Sequence, residues 1–338
     1  MGSILPVGKL PLDLLARLLS RTPIPDSRVI LGPGVGFDCA VVDVGDTLLA
    51  IKSDPITFAS DNIGWYLVQV NANDIATTGA RPRWLLATLL LPEGQTTAEL
   101  VEQISEQIHS ACREIGVSVI GGHTEITHGL ERPLVVGTMI GEVGHGQLVT
   151  PQGAAPGDRI LLTKGVPIEA TAILAREFPE RLEQVLSPAE VEQAANFLYD
   201  PGISVLRDAQ VALQAGKVTA MHDPTEGGLA AALWEVAQAC GHSLVVDPAA
   251  VPIPSLSARI CQALDLDPLA TIASGALLLT APAEQAPQIR RALEQEGIAC
   301  AAIGAVEAGP AAVWQKTTTG RQPWSRPERD EIARLYGD

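Results

Sequence analysis

The sequence predicts an α/β or α+β protein built as two domains, and three observations carry that prediction. The chain has 338 residues, a length that suits one large or two medium domains. Short apolar runs bounded by Gly and Pro alternate with segments of helical period along both halves. A Gly- and Pro-rich stretch, GHGQLVTPQGAAPGD (144–158), interrupts the alternation near the middle. The boundary falls there, giving an N-terminal domain over 1–150 and a C-terminal domain over 151–338.

Residues 10–20 read as a short amphipathic helix. Residues 29–57, VILGPGVGFDCAVVDVGDTLLAIKSDPIT, read as strands broken by glycine turns, with AVVDV and TLLAIKSD joined at Gly45-Asp46. Ser60 can cap a helix that runs to about Thr78 and stops at Gly79, with Pro82 beyond it. WLLATLLLP (84–92) is short, apolar and bounded by prolines, the pattern of a buried strand. Thr96 and Glu99 have capping-box spacing, after which Leu100, Val101, Ile104, Ile108, Ala111 and Ile115 recur at helical period. VSVIGG and LVVGTMIGEV are the next strands.

In the second half RILLTK reads as a strand and Glu169–Arg176 as a helix. Ser187-Pro188-Ala189-Glu190 opens a helix with N-cap, N1 proline and N3 glutamate. Asp200-Pro201 opens another. SLVVD, ALLLTAP and ACAAIGAVE are later strands, and no short-period repeat is present.

Composition narrows the function classes. Apolar residues make up 46% of the chain and aromatics 4%, a balance suited to packed layers and not to a stacking platform for bases. The net charge of −16 argues against nucleic acid as a partner. An acidic chain can still bind ATP when Mg²⁺ lies between carboxylates and phosphates. The five cysteines are scattered and form no CxxC, which disfavours a zinc ribbon or redox dithiol. With no run of 18 apolar residues and no basic leader ahead of an apolar core, the reading is a soluble cytoplasmic protein with no membrane partner.

Six stretches carry polar residues beyond what folding requires. LGPGVGFDCAV (31–41) has three glycines, two of them Gly34 and Gly36, before a lone Asp38. It is either a turn between strands or a backbone cradle for phosphate with Asp38 toward a metal. It is not a P-loop, and it leads into a strand, which excludes the Rossmann fingerprint. AIKSDP places Lys52, Ser53 and Asp54 at a strand end, with Asp54 held extended by the following proline. VNANDIATTGARP puts Asn71, Asp74 and Thr78 on one helix face, although Asn and Asp are poor helix formers. VIGGHTEIT interrupts a strand at Gly121-Gly122 and then offers His123, Thr124 and Glu125. MHDPTEGGLAAALWEVAQACG sets His222, Asp223, Thr225 and Glu226 before a helix that Thr225 or Glu226 can cap. Gly227 and Gly228 in its first turn each cost about 1 kcal/mol relative to Ala, so they need a reason. DPLATIASGALLLT places Ser274-Gly275 before a strand, either as a turn or as another backbone contact.

Taken in order, GPGVGFDCAVVD, KSDPITF, VNANDIATTGARP, GGHTEIT, MHDPTEGGLAAALWEVA and IASGALLLT resemble the PurM-like ATP-binding superfamily of AIR synthase-related proteins. Within it they are most similar to the hydrogenase maturation factor HypE and HypE-like proteins. The resemblance implies a two-domain PurM-like fold and a homodimer that pairs the N-terminal sheets. It also implies use of Mg²⁺ and ATP to phosphorylate or activate an acceptor that the sequence does not name. Carried over by motif, Asp38, Asp54, Asp74 and Glu125 are the metal ligands. Gly34, Gly36, Lys52, Asn71, Gly121, Gly122, Thr124, Gly227 and Gly228 belong to the nucleotide pocket. Asp38, His123 and Asp223 are the candidate catalytic side chains.

Three departures qualify the reaction. Phe37 stands where relatives carry a second acid beside Asp38. His123 stands where kinase-type relatives have an aspartate, against a thiamine-monophosphate-kinase reading. HypE proper ends in a reactive cysteine, whereas this sequence ends ARLYGD and its last cysteine is Cys300, so cyanide-ligand synthesis in that form is not expected. A non-catalytic nucleotide-binding assembly partner and a small-molecule kinase of the thiamine-monophosphate-kinase type are the other readings.

Overall fold

The computed structural model describes residue 5 and residues 8–57, 59 and 61–336. In chain order its helices are α1 (Leu12–Leu19), α2 (Ile63–Thr77), α3 (Ala98–Ile115), α4 (Ile168–Glu177), α5 (Pro179–Leu182), α6 (Pro188–Ala195), α7 (Leu206–Ala215), α8 (Gly228–Cys240), α9 (Ser255–Leu264) and α10 (Ala286–Gln295). Its strands are β1 (Val29–Leu31), β2 (Ala40–Asp43), β3 (Leu48–Ile56), β4 (Arg81–Pro92), β5 (Ser118–Thr127), β6 (Leu134–Val143), β7 (Arg159–Thr163), β8 (Ala220–His222), β9 (Ser243–Val246), β10 (Leu278–Ala281), β11 (Cys300–Glu307), β12 (Ala312–Thr317) and β13 (Gly320–Pro323). They fall into two compact units. One comprises Ile24–Gly32 and Asp38–Leu148; the other gathers the residues through Pro23, Pro33–Phe37 and those from Val149 onward. Each is mixed α/β, as the sequence predicts. No helix among the described residues is long and apolar enough to cross a membrane.

The first unit is a six-stranded sheet in the order β1-β2-β3-β6-β4-β5. Its one parallel pair among the described residues is β4 with β5, joined through the crossover helix α3. Helix α2 packs on β3 and β6, and α3 packs on α2. Every residue of α2 except Trp65 is buried, the mark of a helix enclosed between layers. Gly64 permits the close contact of the two helices, because a Cβ there would lie 2.6 Å from the Ile104 carbonyl oxygen. β2 and β3 pair antiparallel across the Gly45 turn, as expected.

Several boundaries differ from the sequence reading. Ser60, the expected cap of α2, lies outside the described residues; the N-cap position is taken by Asn62 in a left-handed conformation. The cap of α3 is Thr97 and not Thr96: its side chain accepts from the Leu100 amide, while the Thr96 hydroxyl turns back to the Pro92 carbonyl at 2.8 Å. β4 begins at Arg81 and incorporates Pro82 opposite Gly141. β5 continues through Gly121-Gly122 to Thr127. It does so because both glycines adopt positive φ, 157° and 149°, and because a Cβ on Gly122 would fall 1.8 Å from the Ala87 carbonyl oxygen.

The second unit is a seven-stranded sheet in the order β13-β12-β9-β11-β7-β10-β8. Its core joins the inner side of α8 (Leu229, Leu233, Val236) to Ile160, Leu162, Leu244 and Leu278 of the sheet. Ser187 caps α6 with the full capping box that its sequence predicts. Asp200-Pro201 does not open a helix. It forms a turn, and α7 starts later at Leu206.

Candidate functional site

The first unit gathers a polar cluster where β3 faces α2. Lys52 and Asp54 are two residues apart on β3 and so point to the same face. The Lys52 ammonium lies 3.4 Å from Asp54 Oδ2 and 3.3 Å from Asp74 Oδ2. The Asp74 side chain is only 3% exposed, so this is a largely desolvated contact. Asn71, one helical turn before Asp74, fixes the strand to the helix. Its Oδ1 accepts from the Asp54 amide at 3.1 Å, and its Nδ2 donates to the Leu67 carbonyl at 2.9 Å. Gly137 on β6 makes room for it: a Cβ there would meet Asn71 Nδ2 at 2.6 Å.

Asp38 and Cys39 adjoin the same end of α2. The Thr77 hydroxyl contacts Asp38 Oδ2 at 3.4 Å and donates to the Asp74 carbonyl at 2.7 Å. The Cys39 thiol donates to that carbonyl at 3.2 Å. Burial pushes the Lys52 ammonium toward the neutral form. The fields of Asp74, Asp54 and Asp38 outweigh it, and the pKa of Lys52 stands well above the usual lysine value. The structure therefore brings together Asp38, Lys52, Asp54, Asn71 and Asp74. Three carboxylates offer only hard oxygen donors, which fits Mg²⁺. A fixed ammonium already stands among them.

The β5 residues lie elsewhere on the sheet. Asp54, Gly137, Ala87 and Gly122 form one cross-strand row, so Gly122 is three strands from Asp54. At about 4.8 Å per strand that is roughly 14 Å, and Glu125 is farther along β5. Within one chain Glu125 does not share an ion with Asp54 and Asp74. Its Oε2 instead meets His123 Nε2 at 3.0 Å, both side chains being exposed. Gly121, Gly122, His123 and Thr124 line a cavity of about 220 Å³ whose far wall is Ser105, Ile108 and His109 of α3.

In the second unit neither Thr225 nor Glu226 caps α8. The N-cap is Gly227, in the left-handed region at φ 80°. Thr225 Oγ1 accepts from Lys9 Nζ at 3.2 Å. Gly228 has φ 60°, and a Cβ there would meet the Thr271 and Leu269 carbonyl oxygens at 2.7 and 2.8 Å. Backbone packing thus accounts for this glycine. The Gly227 amide donates to Asp330 Oδ2 at 2.5 Å, so the chain's own carboxylate supplies the anion at this helix start. Gly36 abuts α8, its would-be Cβ lying 2.5 Å from the Glu235 carbonyl oxygen, and Gly34 is filled over by the Phe37 ring. Asp223 is 1% exposed. His222 shares a 2.9 Å hydrogen bond with Glu235. Burial alone would raise the Glu235 carboxyl, but His222, Lys9 and Arg326 hold it at about 2.

Sequence reasoning missed three residues. Thr77 was masked by Thr78, whose hydroxyl instead closes the helix end on the Ile75 carbonyl at 2.7 Å. Spacing of three from Asp74 was the available signal. Glu169 and Asp330 had no local signal. Burial pushes their carboxyls up to about 7 and about 6 respectively. Glu169 Oε2 accepts from the Ser274 amide at 3.3 Å.

The comparisons with known proteins bear on family and fold. The family model for the N-terminal domain of AIR synthase related proteins matches residues 36–143, and that for the C-terminal domain matches 155–315. The chain is 32% identical to the carbamoyl dehydratase HypE of Azotobacter vinelandii over 75% of its own length and 72% of the relative's. It is 32% identical to that of Cupriavidus necator over 71% of its length and 65% of the relative's, so slightly less than two thirds of that protein is spanned. A crystal structure of the hydrogenase maturation protein HypE in complex with ATP superposes with a TM-score of 0.72 at 26% identity, covering 88% of this chain and 90% of that one. The chain belongs to the AIR synthase-related family, with the PurM-like fold, and is HypE-like within it.

Proposed function

We propose that this chain binds ATP with Mg²⁺ at the Lys52–Asp54–Asp74 cluster and uses it to phosphorylate or activate a nucleophile on an acceptor. The observation that carries the reading is the Lys52 ammonium held between Asp54 and the buried Asp74, with Asn71 fixing the Asp54 backbone to α2. Desolvating so much charge is costly, and an ordinary core would use apolar residues there. The ATP complex of a HypE relative supports the choice of ligand. Phosphoryl transfer asks a protein for position and charge more than for a covalent nucleophile. When bound, Mg²⁺ supplies neutralisation of phosphate charge. Asp54 and Asp74 hold oxygen donors in a fixed orientation, Asn71 locks Asp54 to α2, and Thr77 ties Asp38 to the same helix end. Asp38 is the catalytic candidate that adjoins this cluster, whereas His123, on β5 against Glu125, lies away from it.

A homodimer belongs to the same reading. β5 is an edge strand exposed along most of its length, with Ile120 and Ile126 more than half exposed. An edge of that kind is protected by pairing or covering. The five cysteines are free thiols, which supports a reducing, cytoplasmic setting. Calorimetry of an ATP analogue in Mg²⁺ tests the site. Asp54→Ala and Asp74→Ala should each weaken binding by roughly ten-fold or more, the scale of one lost charged contact. Unchanged affinity in both folded variants overturns the assignment.

A further inference from the structure

Lys52 has a role that follows from its position and rests on the nucleotide reading above. Its ammonium bridges Asp54 and Asp74 at 3.4 and 3.3 Å. It is 19% exposed, on a strand paired along its length to β6, so the side chain is held and not free to swing into water without breaking both contacts. Asp38 also lies within its field. Three carboxylates against one ammonium leave negative charge enough to attract a divalent ion. The ammonium already lies against one oxygen of each of the two acids that such an ion would use, and the two cations repel at short range.

We propose that Lys52 is a tethered counter-ion that makes metal binding at Asp54 and Asp74 depend on nucleotide. Without nucleotide the ammonium neutralises the two acids and disfavours a divalent ion. A triphosphate offers the ammonium a new anionic partner, and Asp54 and Asp74 then become available to the metal. The ligand class is a polyphosphate–divalent cation pair that enters together, and free metal is rejected.

Titration with Mn²⁺, followed by electron paramagnetic resonance of the free ion, reads this directly. In the absence of nucleotide, Lys52→Met should bind Mn²⁺ roughly ten-fold or more tightly than the wild type, the size expected for removing one adjacent positive charge. Lys52→Arg, which keeps the charge, should stay as weak as the wild type. A merely structural lysine would lower metal affinity on removal, never raise it. A thermal melt reports whether Lys52→Met folds. If it does not, Lys52→Gln, which also removes the charge, is read in its place without nucleotide, with the same tightening expected. A folded charge-free variant that binds Mn²⁺ no more tightly than the wild type overturns the role of Lys52 and leaves the nucleotide site standing. Failure of an ATP analogue itself to bind overturns the nucleotide reading.

Discussion

Glu169 shows what a single buried carboxyl does to this protein. Burial outweighs its hydrogen bond to Ser274 and moves it from 4.5 to about 7. A raised folded value means that the native chain holds the proton more tightly than the unfolded chain. Its contribution to stability is full below the unfolded value and is lost as pH rises toward 7. At about 1.4 kcal/mol per unit, the wild type should lose about 3 kcal/mol more than Glu169→Gln between pH 5 and 8 in urea melts. Equal losses in the two chains would exclude a proton on Glu169. Asp330, raised to about 6, contributes with the same sign in both chains, and its field is one of the smaller causes that raise Glu169.

Helix α8 begins with two glycines for a reason that its own sequence could not reveal. The Thr271 and Leu269 carbonyls stand where a Gly228 side chain would go. Gly228→Ala should cost about 2–4 kcal/mol, combining left-handed strain with overpacking. Gly241, at the other end of the helix, also has positive φ but open space around it. Its alanine variant should cost only about 1 kcal/mol. Denaturant midpoints for the two variants check the difference, and equal costs would mean that packing at residue 228 is not the cause. The same helix marks the limit of what was legible beforehand. Periodicity located α3, β7 and α4, and the capping box at Ser187 was readable because every atom it uses lies within four residues. Strand and helix motifs at Lys52, Asp54, Asn71 and Asp74 were also readable, as polar residues in patterns that should be apolar. What failed was anything set by a distant segment. The choice of Gly227 over Thr225 as cap depends on Asp330, and the continuity of β5 through two glycines depends on Ala87 of its neighbour.

At the scale of the molecule, two sheets of different order share one chain. The first gathers its polar cluster between β3 and α2 and leaves β5 bare. Sedimentation velocity should therefore show a dimer, and the double change Ile120→Lys with Ile126→Lys should shift it to monomer while far-ultraviolet circular dichroism stays unchanged. A wild type that sediments as a monomer at tens of micromolar would remove the dimer from the proposal.

The clasp between Asp330 and Gly227 also bears on how the chain is made. Synthesis is vectorial, and the first sheet has all of its strands once Val143 has emerged. The second unit waits much longer. The carboxylate that completes the first turn of α8 follows every strand of both sheets in the chain, and α1, which precedes them, belongs to that same late unit. That helix must therefore remain unclaimed while the whole first sheet and most of the second unit are made. Ribosome-bound chains halted short of residue 330 should resist protease over 24–32 and 38–148 and be cut freely beyond residue 148.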